Sequence, residues 1–233
     1  MTSAIKALTF DTGGTILDWH SGISRTLAEV GGRRGVSADW AKAANEYRRR
    51  ALAGMTRQVR PDFNIDGMHR RVLDALAAEQ GWQAFTEEDR ADIVQAWHAL
   101  DAWPDFPTAA RRLRAKYAVA SFTILSTSLI VDVSRRNGID WDCVVSCEMI
   151  GSYKPNPESY ETCARWLGLR PDEILMVACH NFDLRAARKV GFRAAFVRRP
   201  DEWGPAGPPD PAPDAGYDIV VDDFGALAER LGC

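Results

Sequence analysis

Four places in this chain put chemically capable side chains where apolar runs stop. Asp11 ends the stretch at residues 4–10 (AIKALTF) and opens the glycine-rich turn DTGGT. Ser126 and Thr127 close the stretch at 117–126 (YAVASFTILS), Lys154 lies in GSYKPNPESY, and Asp183 follows EILMVA within MVACHNFD. A carboxylate can attack carbon as a nucleophile, a hydroxyl can orient it, an ammonium can hold it ionised, and a second carboxylate can fix the ammonium. Each residue alone has a plainer reading. Asp11 can stabilise a turn, Ser126 can cap the next helix, Lys154 can be a solvated loop lysine, and Asp183 can be a helix-start acid. The occurrence of all four at strand ends, in chain order, favours chemistry.

A parallel sheet would bring them together. After Trp103, Pro104 and Asp105 the pattern alternates. Strand-like runs at 117–126, 142–147, 173–178, 193–197 and 218–223 are separated by helical ones at 128–138, 157–169 and 182–191, with a last helix at 224–232. Alternation at this spacing predicts βαβ units and an α/β fold with a doubly wound, Rossmann-like parallel sheet. In open sheets of that kind the ligand sits beyond the carboxyl ends of the strands. Between about residues 21 and 100 only helical periodicities occur, at 38–55, 65–80 and 86–100, the last opened by Thr86 before three acids. The predicted organisation is a core of residues 1–17 and 103–233 interrupted by a helical cap domain at 18–102. Residues 200–213 hold six of the twelve prolines and are read as a loop.

The bulk composition narrows the function class. The 233 residues carry 29 Lys and Arg against 32 Asp and Glu, a net charge of -3, so no global field points to nucleic acid or to an acidic membrane. The arginine clusters at 48–50 and 111–114 read as solvated helix faces, with one arginine of the first reserved for the site. No apolar run is long enough for a signal peptide or approaches the ~18 residues of a membrane span. Cys143, Cys147, Cys163, Cys179 and Cys233 form no C-x-x-C pair, which argues against zinc and against a disulfide framework and fits a cytoplasmic protein.

The motifs carry a resemblance. FDTGGTILDW is similar to the first motif of the haloacid dehalogenase superfamily, ILSTS to its second, YKPNPESY to its third and MVACHNFD to its fourth. The helical insertion corresponds to that family's cap. Most members transfer phosphoryl groups with magnesium and carry a second Asp two positions after the nucleophile. Gly13 stands there instead and can neither donate a proton nor hold one, and with Phe182 and Asn181 before Asp183 a hard cation would find few oxygens. The type II 2-haloacid dehalogenases lack that Asp and need no metal. Their third motif resembles KPxPxxY, matched by Lys154, Pro155, Pro157 and Tyr160. NEYRRRALAGM resembles the segment that presents an arginine to the substrate carboxylate; Arg48, after Tyr47, is the best alignment, with Arg49 and Arg50 as alternatives.

The resemblance implies a metal-independent, cofactor-free hydrolase acting on a small anionic 2-haloacid, with no nucleic acid or membrane partner and a homodimer as the family expectation. Asp11 would displace halide from Cα, and water would cleave the resulting ester at its carbonyl. Lys154 would hold Asp11 ionised, Asp183 would fix Lys154, and Ser126 and Thr15 would hydrogen-bond Asp11. A lysine about 4 Å from a carboxylate contributes roughly 4 kcal/mol at an effective dielectric near 20. Arg48, Thr127, Tyr160, His180 and Asn181 would line the substrate. The chain departs from the branch at Gly13, usually aromatic, at Thr127, usually Asn, and at Ala178 and His180, often Ser and Asn. His180 is either the base that activates water or a packing residue of its loop. An atypical phosphatase and a non-catalytic binding protein are the competing readings.

Overall fold

The computed structural model describes residues 4–55 and 65–233. The expected core begins with residues 1–3 and the expected insertion includes residues 56–64; both stretches lie outside the described residues. The chain opens with β1 (Ala7–Phe10), buried at all four positions, as a strand covered on both faces must be. The helices α1 (Trp19–Arg34), α2 (Trp40–Met55), α3 (Ile65–Gln80) and α4 (Glu87–Gln95) follow, with a 3-10 turn at Ala96–Ala99. Alternation then begins: α5 (Phe106–Arg114), β2 (Ala118–Thr123), α6 (Thr127–Asn137), β3 (Cys143–Ser146), the single turn α7 (Cys147–Ile150) and α8 (Pro157–Leu167). It continues through β4 (Ile174–Ala178), α9 (Asn181–Val190), β5 (Arg193–Val197), β6 (Ile219–Val221) and α10 (Phe224–Arg230).

The six strands form one parallel sheet in the order β3-β2-β1-β4-β5-β6. β1 lies between β2 and β4, with Phe10 in register with Ser121 on one side and Val177 on the other. The strand order therefore reverses at β1, the position where a doubly wound sheet leaves a crevice at its carboxyl edge. Aromatic clusters fill both faces. Phe10, Phe106 and Phe224 pack edge to face at 4.7–5.8 Å between ring centroids on one side. Phe122 and Phe192 flank Tyr160 at 5.2 and 6.0 Å on the other. Fully burying a side chain of this size contributes about 1.5–3 kcal/mol, which fixes the strand ends that carry the polar groups.

The helical insertion leaves and rejoins the sheet at one place. Leu17 and Ala102 form an antiparallel bridge, Asp18 N–H donates to the Asp101 carbonyl at 2.9 Å, and Trp103 N–H donates to Ile16 at 2.8 Å. α4 starts at Thr86 as the sequence indicates, through a reciprocal cap with Asp89. α1 is a helix the periodicity did not single out. Its interior holds three glycines, and Gly31 is there for contact: a Cβ at that position would lie 2.2 Å from the ring of Trp40. β2 is shorter than its apolar run, because Ser126 turns out of the sheet to cap α6. Among the described residues no helix is long and apolar enough to cross a membrane.

Candidate active site

The site is built outward from the end of β1. Asp11 N–H still donates to the Val177 carbonyl of β4 at 3.0 Å, so the carboxylate is fixed to the sheet as the chain leaves it. Residues 12–17 fold back, with the amides of Ile16 and Leu17 donating to the Thr12 carbonyl at 3.0 Å. Gly14 has φ +98°, in the left-handed region, and a Cβ there would lie 2.0 Å from Glu202 Oε1. The turn therefore requires glycine for its backbone and for the approach of an acid from a distant loop. Thr15 completes it: the hydroxyl donates to Asp11 Oδ2 at 2.8 Å and accepts from Cys179 N–H at 3.1 Å.

Lys154 lies under the other carboxylate oxygen. Its Nζ is 3.2 Å from Asp11 Oδ1 and 2.7 Å from Asp183 Oδ2, and it sits 4.5 Å above the Phe122 ring. All three charged groups are almost wholly buried. Burial alone would depress the Lys154 ammonium, but Asp183 and Asp11 reverse this and raise it above its usual value. Burial alone would likewise raise the Asp11 carboxyl; Lys154, His180 and Thr15 overcome that and hold it well below the usual carboxylate range. Asp11 is thus an ionised, oriented carboxylate at neutral pH.

His180, just after β4, forms the third wall. Nδ1 is 3.1 Å from Asp11 Oδ2 and Nε2 is 2.9 Å from Glu202 Oε1. Glu202 is buried as well. It accepts from Trp19 Nε1 at 3.3 Å and from the Cys179 thiol at 3.6 Å. Burial pushes that thiol up to about 11, so it is a neutral donor. Burial also opposes charge on His180, but the Glu202 carboxylate and the bond to Asp11 raise the imidazole above its ordinary value; the neutral Cys179 thiol adds no charge to this. Cys179, His180 and Glu202 bring atoms of metal-binding type within 4.8 Å of one another. With the thiol protonated and both ring nitrogens bonded to carboxylates, they form a proton network instead of a metal centre.

Arg48 of α2 closes the site from the helical insertion. It is only 2% exposed, and its guanidinium lies 5.6 Å from the Trp19 ring and 5.4 Å from the Trp97 ring. Nη2 makes one long contact, 3.5 Å, to the Gly13 carbonyl; Nε and Nη1 are buried and have no partner among the described residues. A Cβ at residue 13 would lie 2.7 Å from Nη2, so Gly13 leaves the room that the arginine fills. Arg49 and Arg50 are turned away, paired with Glu46 at 2.6 and 2.7 Å and, for Arg50, with Glu79. Of the three candidates, Arg48 alone faces the carboxylate site.

The structure brings Asp11, Thr15, Lys154, Asp183, Arg48 and His180 together and places the remaining candidates elsewhere. Ser126, expected to hydrogen-bond Asp11, instead accepts from Leu129 N–H at 3.2 Å as the cap of α6 and pairs with Ser128 at 3.2 Å. Tyr160, expected to line the substrate, lies behind the site, donating to Asp183 Oδ1 at 2.5 Å. Asn181, also expected there, is turned toward residues 210–217, where it meets Asp210, Ala212, Asp214 and Tyr217. Thr127 keeps a buried, unpartnered hydroxyl, while its N–H donates to Glu148 at 2.7 Å. Sequence reasoning missed Glu202, Trp19 and Trp97. The tryptophans were visible only as part of an excess of eight, and Glu202 sits in the proline-rich loop, where no periodicity marks an inward acid.

A buried, ionised carboxylate after the central strand of a Rossmann-like sheet, facing an arginine from a helical insertion, defines the class. A family model described as a haloacid dehalogenase-like hydrolase matches residues 5–191. The chain belongs to the haloacid dehalogenase-like hydrolase family. It is 31% identical over 202 residues to an (S)-2-haloacid dehalogenase of Xanthobacter autotrophicus, covering 84% of this chain and 76% of that protein. Two solved structures superpose with a TM-score of 0.91. The L-2-haloacid dehalogenase PA0810 is 33% identical over 98% of this chain and 99% of its own. The defluorinating L-2-haloacid dehalogenase Rha0230 is 32% identical over 98% and 96%.

Proposed function

We propose that this chain hydrolyses a small 2-haloacid to the 2-hydroxy acid through an ester on Asp11, without a metal or an organic cofactor. The observation that carries this reading is the buried Arg48 guanidinium with unpartnered Nε and Nη1, turned toward an ionised Asp11. A buried donor without an acceptor costs roughly 1–3 kcal/mol, more when charged, and a bound carboxylate removes that cost. The substrate's own carboxylate is the ligand that fits, through a charge-assisted hydrogen bond from one of these nitrogens, joined by Nη2 where it leaves its long contact to Gly13.

The steps follow from the positions. Arg48 holds the carboxylate and presents Cα to Asp11. Both reactants are anions, and Lys154 and Arg48 offset their repulsion. An Asp11 oxygen forms a bond to Cα as the carbon–halogen bond breaks and the pair leaves on halide. Water then attacks the ester carbonyl with His180 as base, and Thr15 keeps the group oriented. A divalent cation at Asp11 would face the Lys154 ammonium 3.2 Å away and would find no second carboxylate at Gly13, which supports a route without magnesium.

The test is a halide-release screen over fluoro-, chloro- and bromoacetate and both 2-chloropropionates, with and without EDTA, beside a generic phosphate ester. The expected result is halide release from at least one acid, unchanged by EDTA. Magnesium-dependent phosphate release without halide release would overturn the reading.

A further inference from the structure

His180 is hydrogen-bonded to a carboxylate at each ring nitrogen, to Asp11 through Nδ1 at 3.1 Å and to Glu202 through Nε2 at 2.9 Å. A neutral imidazole has one N–H and one lone pair, so it can satisfy only one of two carboxylate neighbours. The other would meet a lone pair in a site where the ring is only 9% exposed. The cation, a donor at both nitrogens, satisfies both. Such a ring cannot take a proton from water, yet the ester on Asp11 needs a base. The two facts are reconciled by the reaction itself, since alkylation of Asp11 removes one of the two negative charges.

We propose that His180 bridges Asp11 and Glu202 as an imidazolium in the free enzyme, and that esterification of Asp11 releases its proton, so that the base appears only once there is an ester to hydrolyse. This deepens the reading of the site given above and rests on it. Glu202 is the positioning residue: it keeps the ring in place after Asp11 has lost its charge. The other groups around the ring do not offset that loss. Cys179, 3.4 Å from Nε2, is a neutral thiol, Phe182 offers only its ring, Lys154 serves the far oxygen of Asp11, and Arg48 acts on the two carboxylates, Glu202 and Asp11.

The protons balance. When the ester forms, His180 gives one proton to solvent. During hydrolysis one proton of the attacking water ends on the hydroxyl of the product and the other on His180, while Asp11 returns as carboxylate. One turnover thus converts a haloacid and water to a hydroxy acid, halide and one proton. The fixed charge of Glu202 and the vanishing charge of Asp11 together set the order of events.

The test needs no turnover. The chain has four histidines, so the protein labelled with ¹⁵N-histidine gives few resonances, and His180→Asn assigns the one in question. Asp11→Asn is a neutral stand-in for the ester. In wild type the His180 midpoint should lie well above that of an ordinary imidazole, and in Asp11→Asn it should fall by about 1–3 pH units. Glu202→Gln should lower it comparably without touching the nucleophile. A wild-type midpoint near 6.5, or one indifferent to Asp11→Asn, overturns the proposal. Failure of the ester route itself would appear elsewhere, as no ¹⁸O entering Asp11 during turnover in ¹⁸O-water.

Discussion

Replacing Lys154 by methionine keeps most of the side chain and removes the ammonium between two buried carboxylates. At an effective dielectric near 20, charges 3.2 Å apart, as for Asp11, interact by about 5 kcal/mol, and charges 2.7 Å apart, as for Asp183, by about 6 kcal/mol. Much of that gross attraction offsets the desolvation of the ammonium. Removing one partner of a buried ion pair typically costs a net ~3–5 kcal/mol, because the remaining charge is left uncompensated. The pH dependence identifies the cause. In wild type the folded Asp11 lies below its unfolded value, so its contribution is present above pH ~4 and is lost on acidification through the folded value. The folded Lys154 lies above its unfolded value, so its contribution is present below pH ~10 and is lost only in stronger base. In Lys154→Met the stranded carboxylates resist ionisation, and their penalty fades as they protonate. Urea unfolding at pH 8 and pH 5 should therefore show a gap from wild type of about 3–5 kcal/mol at pH 8 that narrows at pH 5. In thermal melts that gap corresponds to about 6–20 °C for a chain of this length. Adding Asp183→Asn to Lys154→Met should recover part of the loss. A gap that is the same at both pH values, or absent at pH 8, would refute the electrostatic account and leave only packing.

Other perturbations separate the roles of neighbouring groups. Asp11→Asn should reduce halide release below about 10% of wild type, a bound taken from losses of 10² or more on removing a group that acts in the transition state, with mass spectrometry confirming that the amide persists. With enzyme in excess in ¹⁸O-water, the first hydroxy acid should be mostly unlabelled and Asp11 labelled; immediate labelling of the product would mean direct attack by water. Arg48→Ala should lower kcat/KM by roughly 10-fold or more, as losing a hydrogen bond to a charged group costs about 1.5–3 kcal/mol, whereas Arg49→Ala, paired with Glu46, should change it little. Gly14→Ala should impair stability and halide release together, because its Cβ would meet Glu202 Oε1 and its φ is unfavourable by about 1–2 kcal/mol; a fully active, stable Gly14→Ala protein would show that Glu202 can withdraw without consequence.

The parts of this molecule that were legible from its residues share a physical signature. Strand ends are marked by an apolar run stopping at a polar group, so Asp11, Lys154 and Asp183 could be placed on one edge of the sheet before any coordinates. Ser126 shows the limit of that logic. A serine at a strand end that also opens a helix has two uses for its oxygen, and the cap of α6 took it. Tyr160 matched a motif, but a motif does not say on which side of Lys154 the phenol lies. Asn181 sits beside the site in sequence and faces away from it because a helix start turns consecutive side chains through large angles. Glu202 was invisible for a different reason: its partner His180 is 22 residues earlier in the chain, and loop residues carry no period that reveals their inward side. α1 was hidden by its three glycines, of which Gly31 makes room for Trp40 and Gly22 for Leu100, and which weaken the helical pattern.

The bridge between Leu17 and Ala102 means that, seen from the sheet, everything between them is a loop whose ends already touch. The entropic cost of such a loop rises only slowly with its length, about 0.6 kcal/mol per doubling, so the sheet is nearly indifferent to what is attached there. Arg48 belongs to the attached part, whereas Asp11, Lys154, His180 and Glu202 do not. On the proposed reading, choice of anion and bond-making are therefore written in separable stretches of chain. Descent with modification can rewrite the first, by altering or exchanging the inserted helices, while the second is inherited intact.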